Sequence, residues 1–426
     1  MSEKFTLVFA VFLLAGLLLR LWLSTRHMRH IAQHHGAVPA AFAKTIALAA
    51  HQKAAQYSIS NLRLGLVELF IGSALLLGWT LFGGLQWLNI TLLQWQAPGL
   101  WQQMALVVAF VAISSLLDLP LSLYKTFVLE QKFGFNKTTF SLWLIDGLKG
   151  LLLGAILGLP LLALFLWLMA QAGSLWWLYA WLVLMAFQLV MMVIAPLWIA
   201  PLFNNFQPLE DESLKQRALA LMQQAGLQAQ GFFIMDGSRR SAHSNAYFTG
   251  IGRSKRVVFY DTLLAKLNAG EVDAVLAHEL GHFKYGHIRK RIILMCVLSL
   301  LGLGLLGWLS QQGWFYDGLG VQAFINTNGT ISLGENAGMA LLLFSLVLPV
   351  FLFFISPIFA YFSRRDEFEA DRYAVSVTQA QDLGAALLKL YNDNAATLTP
   401  DPWYVRFYYS HPPALQRFAA MGYEPE

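Results

Sequence analysis

The sequence predicts a mainly α-helical polytopic membrane protein with about seven transmembrane helices and an α+β domain on the cytoplasmic side. Three observations predict it. Of 426 residues, 57% are hydrophobic and only 12% charged, and the mean hydropathy is +0.54, a balance that soluble domains of this length do not show. Apolar runs long enough to cross ~30 Å of hydrocarbon recur along the chain. Between them lies a polar stretch with His278-Glu279-Leu280-Gly281-His282. On a helix that spacing sets two imidazoles on one face and the glutamate one residue along, as a catalytic zinc site requires.

Taken in order, the apolar runs fall at roughly 5–24, 64–85, 103–124, 150–171, 176–199, 292–311 and 337–362. The first continues without a small-residue cleavage site and reads as a span rather than a signal peptide. The second and third are divided at 86–101, a segment of Trp, Gln and Pro, and the fourth and fifth at Ala172-Gly173-Ser174. Cys296, the single cysteine, lies inside a run, so no intramolecular disulfide forms.

Orientation follows from the basic loops. Arg26, Arg29, Lys44, Lys53 and Arg63 follow the first span without an acidic residue, and Lys125, Lys132, Lys137 and Lys149 follow the third. These loops are expected in the cytoplasm, which puts the N-terminus outside and the C-terminus inside. The net charge of +5 is then a property of membrane-flanking loops and implies no nucleic-acid partner. His27, His30, His34, His35 and His51 read as a solvated interfacial face.

Four regions are expected: helices one to five over 1–201, a peptidase insertion over 202–291, helices six and seven over 292–362, and the rest of the peptidase over 363–426. Within the insertion, 211–225 reads as a helix, Gln230 to Met235 and Arg256 to Tyr260 as strands, and 271–290 as the helix carrying the histidines. The tail is expected to pack against it.

A catalytic zinc needs three protein ligands and an open fourth position. His278 and His282 supply two. Glu367 is the third by this reading, with Asp371 on the same helical face accepting the free N–H of a ligating imidazole; Glu369 faces away. Zinc would activate water and polarise a carbonyl, with Glu279 as general base. The oxyanion still needs a donor, and either 241–247 or 409–417 could supply one.

These residues resemble the type I CAAX prenyl endopeptidases, integral membrane zinc metallopeptidases. The resemblance runs through 119–130, Phe133-Gly134-Phe135-Asn136, Ile199 to Asn204, His243 to Phe248, Phe259 to Leu264, the HELGH stretch, Glu367 to Asp371, and Ser410-His411-Pro412-Pro413. It implies a barrel of tilted helices around a water-filled chamber, capped on the cytoplasmic side by one zinc per chain. It implies His278, His282 and Glu367 as ligands, Glu279 as base and Asp371 behind them. His411 and Arg417 would face the transition state, and Asn245, Ala246 and His243 the peptide.

Cleavage near the C-terminus of prenylated or hydrophobic peptides follows, by a monomer in the lipid bilayer. The membrane is a bacterial inner membrane, or the endoplasmic reticulum if the source is eukaryotic; Tyr423-Glu424-Pro425-Glu426 lacks a dilysine signal. Two alternatives stand beside this: a membrane quality-control metalloprotease, and a non-catalytic transporter or scaffold with a vestigial zinc site. Transport would favour charges buried in mid-span, whereas Glu68 and Asp118 are expected near span ends.

Overall fold

The computed structural model describes residues 1–228, 231–249 and 256–424 of the chain. Gln230, expected to open a strand, and the terminal Pro425-Glu426 lie outside them. Seven helical segments among the described residues are long and apolar enough to cross a membrane: Ser2–His34, Leu48–Trp79, Leu100–Phe133, Phe140–Gln171, Gly173–Phe203, His287–Leu309 and Leu333–Val377. They correspond to the seven apolar runs. Most extend well past them, because charges mark where hydrocarbon ends and not where a helix must.

The second helix starts sixteen residues before its expected span at 64. Glu68, expected near a span end, therefore sits well inside its helix. The connection expected over 86–101 is largely helical, Gly84–Leu93, entered through Gly83 at φ +77.

The helices are packed at their two ends and not between them. At one end Phe9, Leu106, Leu166, Trp176, Phe315 and Tyr316 are fully buried in a common apolar cluster. At the other, a second cluster joins the sheet and the peptidase helices. In between, the most apolar 18-residue window of the fifth span has no buried residue, and that of the third only 6%. A helix in a solid bundle buries a stripe along its length, so these helices surround space. A cavity of about 830 Å³ lies between the first two helices and the tail, and Arg20, Tyr57, Asn61, Glu68, Tyr409 and His411 are among its lining residues. Glu68 meets this cavity.

Four short strands form one sheet: β1 (Phe206–Pro208), β2 (Gly231–Met235), β3 (Ala246–Thr249) and β4 (Arg256–Tyr260), in the order β1-β2-β4-β3. β2 and β4 are parallel, and β1 and β3 add antiparallel at the two sides. Phe232, Val257 and Phe259 bury one face against Leu214, Ala218 and Met222 of the Glu212–Gln224 helix. Leu276 and Leu280 of the histidine helix join the same core, as do Leu383 and Phe418 of the tail. Tail and insertion thus share one interior. Two of the interfacial histidines are not solvated: His27 and His51 are 2% and 1% exposed. His27 stacks on Tyr404 at 4.1 Å and accepts the Asp401 N–H, and His51 bonds the His34 carbonyl.

Candidate metal centre

The histidine helix is Ala269–Lys284. Asn268 caps it, accepting the Glu271 N–H while the Glu271 carboxylate accepts the Asn268 N–H. Glu271, 3% exposed, also accepts from Lys389 of the tail. The helix ends six residues earlier than the expected 290: Gly286 takes φ +67, and the sixth span starts at His287. Glu367 and Asp371 ride on a second helix, Ser356–Val377, which continues the seventh span.

Small residues let the two helices meet closely. Ala274, Ala277, Ala370 and Ala374 are fully buried. At Gly281 the approach is tightest, since a Cβ there would lie 2.9 Å from the Ala370 Cα. The glycine of the HELGH stretch is therefore required by packing.

That approach brings three donor sets together. His278 Nε2 and His282 Nε2 are 3.3 Å apart. His278 Nε2 lies 3.3 Å from Glu367 Oε2, and His282 Nε2 lies 3.4 Å from Glu367 Oε1. Ligands held tetrahedrally at about 2.0–2.1 Å from zinc stand about 3.3 Å from one another, so each imidazole stands at ligand spacing from the other and from one oxygen of the Glu367 carboxylate, Oε2 for His278 and Oε1 for His282. Glu367 Oε2 is also buried without a hydrogen-bond partner among the described residues, the condition of an atom meant for a cation. Two imidazole nitrogens and one carboxylate suit zinc.

Around the triangle, His278 Nδ1 lies 2.9 Å from Asp371 Oδ1. Burial alone would lower the His278 pKa; the carboxylates of Asp371 and Glu367 beside it outweigh that and raise it to about 9. Burial lowers His282 to about 4. Desolvation raises the Glu279 carboxyl above the usual carboxylate range, as suits a general base. His411 stands at the rim, its side chain 61% exposed and its Nε2 3.4 Å from Glu367 Oε1.

Other expected positions fall differently. Arg417 was expected beside the substrate, but it is 4% exposed and donates from Nε and Nη2 to Asp371. Since Asp371 meets the Nδ1 side of the His278 ring, Arg417 is a prop for the carboxylate. His243 bonds Asn394 at 2.9 Å and stacks on Phe135, with Glu130 at 4.0 Å from Nε2; none of these partners belongs to the triangle. Ala246 opens β3, at one side of the described sheet, and Asn245 is exposed just before it. Phe248 of this strand packs on Phe283 of the histidine helix.

His287 had no expected role, though its side chain is only 1% exposed. Its Nδ1 is 3.0 Å from His282 Nδ1 and its Nε2 is 3.1 Å from Glu369 Oε2. The available signal was a histidine five residues beyond a candidate ligand, just past a glycine.

Comparison with known proteins places the whole chain. A profile described as the CAAX prenyl protease N-terminal region with five membrane helices matches residues 27–205, and that of peptidase family M48 matches 208–424. CAAX prenyl protease 1 of Saccharomyces cerevisiae is 37% identical over 326 residues, covering 74% of this chain and 71% of the yeast protein. The human homologue is 31% identical, covering 75% and 73%. The crystal structure of S. mikatae Ste24p superposes with a TM-score of 0.89 at 30% identity, covering 98% of this chain and 99% of the other. With both halves matched in order and the fold shared from end to end, the chain belongs to peptidase family M48, in its CAAX prenyl protease branch, and is a multi-pass membrane metallopeptidase.

Proposed function

We propose that His278, His282 and Glu367 hold one zinc ion per chain and that the enzyme cleaves peptide bonds near the C-terminus of prenylated or otherwise hydrophobic peptides. The observation that carries this is the donor triangle, with edges of 3.3–3.4 Å, beside the half-buried Glu279. Bound there, zinc would supply Lewis acidity, lowering the pKa of a water and polarising the scissile carbonyl. Glu279 takes the proton of the attacking water and returns it to the leaving amine. Asp371, held by Arg417, keeps the His278 ring in one tautomer. His411, tethered to Ser410 through Nδ1 at 2.9 Å, presents its Nε2 side to the carbonyl oxygen as charge develops.

The strand beginning at Ala246 offers the peptide a sheet edge, and the cavity lined by apolar and polar groups accommodates a lipidated tail. The peptidase is assembled from 202–291 and 363–426, faces the cytoplasm, and works as a monomer. The basic loops after the first and third spans support that sidedness, in a bacterial inner membrane or, in a eukaryote, the endoplasmic reticulum. Similarity over the full chain, and not the peptidase half alone, supports the CAAX-type reading over a quality-control protease.

The test is cleavage of a farnesylated peptide and its unprenylated twin by the wild type and Glu279→Gln. The variant should keep its zinc and lose 10²–10⁴ in rate, the contribution of a placed general base. An unchanged rate overturns the mechanism, and equal rates on the two peptides overturn the prenyl preference.

A further inference from the structure

We propose that His287 and Glu369 form a hydrogen-bond relay that fixes the tautomer of His282 and so sets how tightly the centre holds its cation. The inference rests on the zinc centre proposed above, but not on its substrate. A neutral imidazole has one donor nitrogen and one acceptor. With Nε2 of His282 turned into the donor triangle, its hydrogen must sit on Nδ1. That atom lies 3.0 Å from His287 Nδ1, and two nitrogens at this distance share a single proton. His287 Nδ1 is then the acceptor, so its own hydrogen sits on Nε2, 3.1 Å from Glu369 Oε2. The other oxygen of Glu369 accepts from Arg365 Nε at 3.2 Å. Each donor in the series meets one acceptor, and the series runs in one direction to a carboxylate tied down by a guanidinium.

The two ligand imidazoles are therefore backed alike. His278 leans directly on a carboxylate held by Arg417, and His282 leans on a carboxylate held by Arg365 through one intervening ring. Glu369 reaches this place because two helical residues turn it away from Glu367, and His287 meets it because the chain breaks at Gly286 and restarts there.

The same ordering decides a second question. His287, Asp366 and Glu369 place ligand atoms within 4.8 Å of one another and resemble a second metal site. A metal there would need the lone pair of His287 Nε2, which would put the hydrogen on Nδ1. His282 Nδ1 would then be the acceptor, and its hydrogen would occupy the Nε2 needed in the first triangle. The relay and a loaded second site exclude each other while the 3.0 Å contact holds, and the relay leaves His282 free to ligate.

The experiment uses the full chain in detergent and measures zinc per chain and zinc affinity by competition with a chromophoric chelator. His287→Phe keeps a ring and removes the acceptor; His287→Gln loses the ring and keeps an amide oxygen. A role in shape would make Phe the better replacement, and the relay makes Gln the better one. We expect one zinc per wild-type chain, affinity weakened 10–100-fold in His287→Phe, and most of the loss recovered in His287→Gln. The reverse order, or wild-type affinity in both, overturns the relay, as do two zinc ions per wild-type chain.

Should the buried substitutions fail to fold, Glu369→Ala, at a residue 20% exposed, should weaken zinc binding at least about threefold by leaving the Nε2 hydrogen only the more distant Asp366 carboxylate, at 3.6 Å. Unchanged affinity there overturns the relay equally. A wild type that binds no zinc removes the centre and the relay together, whereas a zinc-loaded enzyme that ignores prenylated peptides leaves the relay standing.

Discussion

Gly281→Ala isolates the contact that makes the metal centre possible. In a helix interior the change from glycine to alanine is favourable by about 1 kcal/mol, so on propensity alone the variant should be more stable. The structure reverses the expectation. The added Cβ would meet the Ala370 Cα at 2.9 Å and its carbonyl oxygen at 3.1 Å, both backbone atoms that no rotamer change can move. Restoring ordinary contact at about 3.5 Å requires the two helices to separate by roughly 0.6 Å. Overpacking of this kind costs about 1–3 kcal/mol, which leaves a net loss of about 0–2 kcal/mol.

The effect on the centre should exceed the effect on stability. Metal sites tolerate departures of about 0.2 Å in ligand distance, and Glu367 sits on the helix that must retreat while both histidines sit on the other. We expect zinc affinity to fall tenfold or more, about 1.4 kcal/mol or above, with melting temperature unchanged or lower. The assay is chelator competition beside a thermal melt, with Gly302→Ala as control because a Cβ there meets nothing within 4 Å. Wild-type zinc affinity in Gly281→Ala, or a melting temperature raised as far as propensity predicts, would refute the reasoning.

Three further outcomes follow from the same geometry. Arg417→Leu leaves Asp371 buried with only His278 beside it and should destabilise the protein by about 3 kcal/mol, the lower end for a broken buried pair, read as a lower melting temperature. His411→Ala should reduce kcat about 10²–10³-fold, as loss of one oxyanion donor does, with zinc content and melting temperature unchanged because the side chain is 61% exposed. Chelation of zinc held at 1,000 times its Kd should remove about 4 kcal/mol of stability, so metal-free enzyme should melt earlier and recover on zinc addition.

The spans were legible because each needs a long apolar run, and the centre because a helical spacing of four puts His278 with His282 and Glu367 with Asp371. What was not legible depends on partners distant in sequence. β1 and β3 are three and four residues long and exist only because β2 and β4 pair with them. His27 and His51 read as surface residues until Tyr404 and Asp401, from the far end of the chain, cover the first. Arg417 looked like a substrate contact because the family resemblance implied one, yet its partner is a carboxylate on another helix. The break after Lys284 hinged on one glycine at positive φ, and with it went the position of His287.

That break couples the centre to the membrane. His287 opens the sixth span and Glu367 lies on the helix that continues the seventh, so two of the seven helices enter the site as its own elements. A third connection is Arg26 of the first helix, which donates to the 1% exposed Asp401 of the tail at 2.9 Å. The middle of the barrel is unpacked and contributes little to holding these helices in register. The apolar cluster at the far end and the shared interior at the near end must do so. Distances of 3.3–3.4 Å between donor atoms are then maintained by two close-packed ends that bracket a hollow.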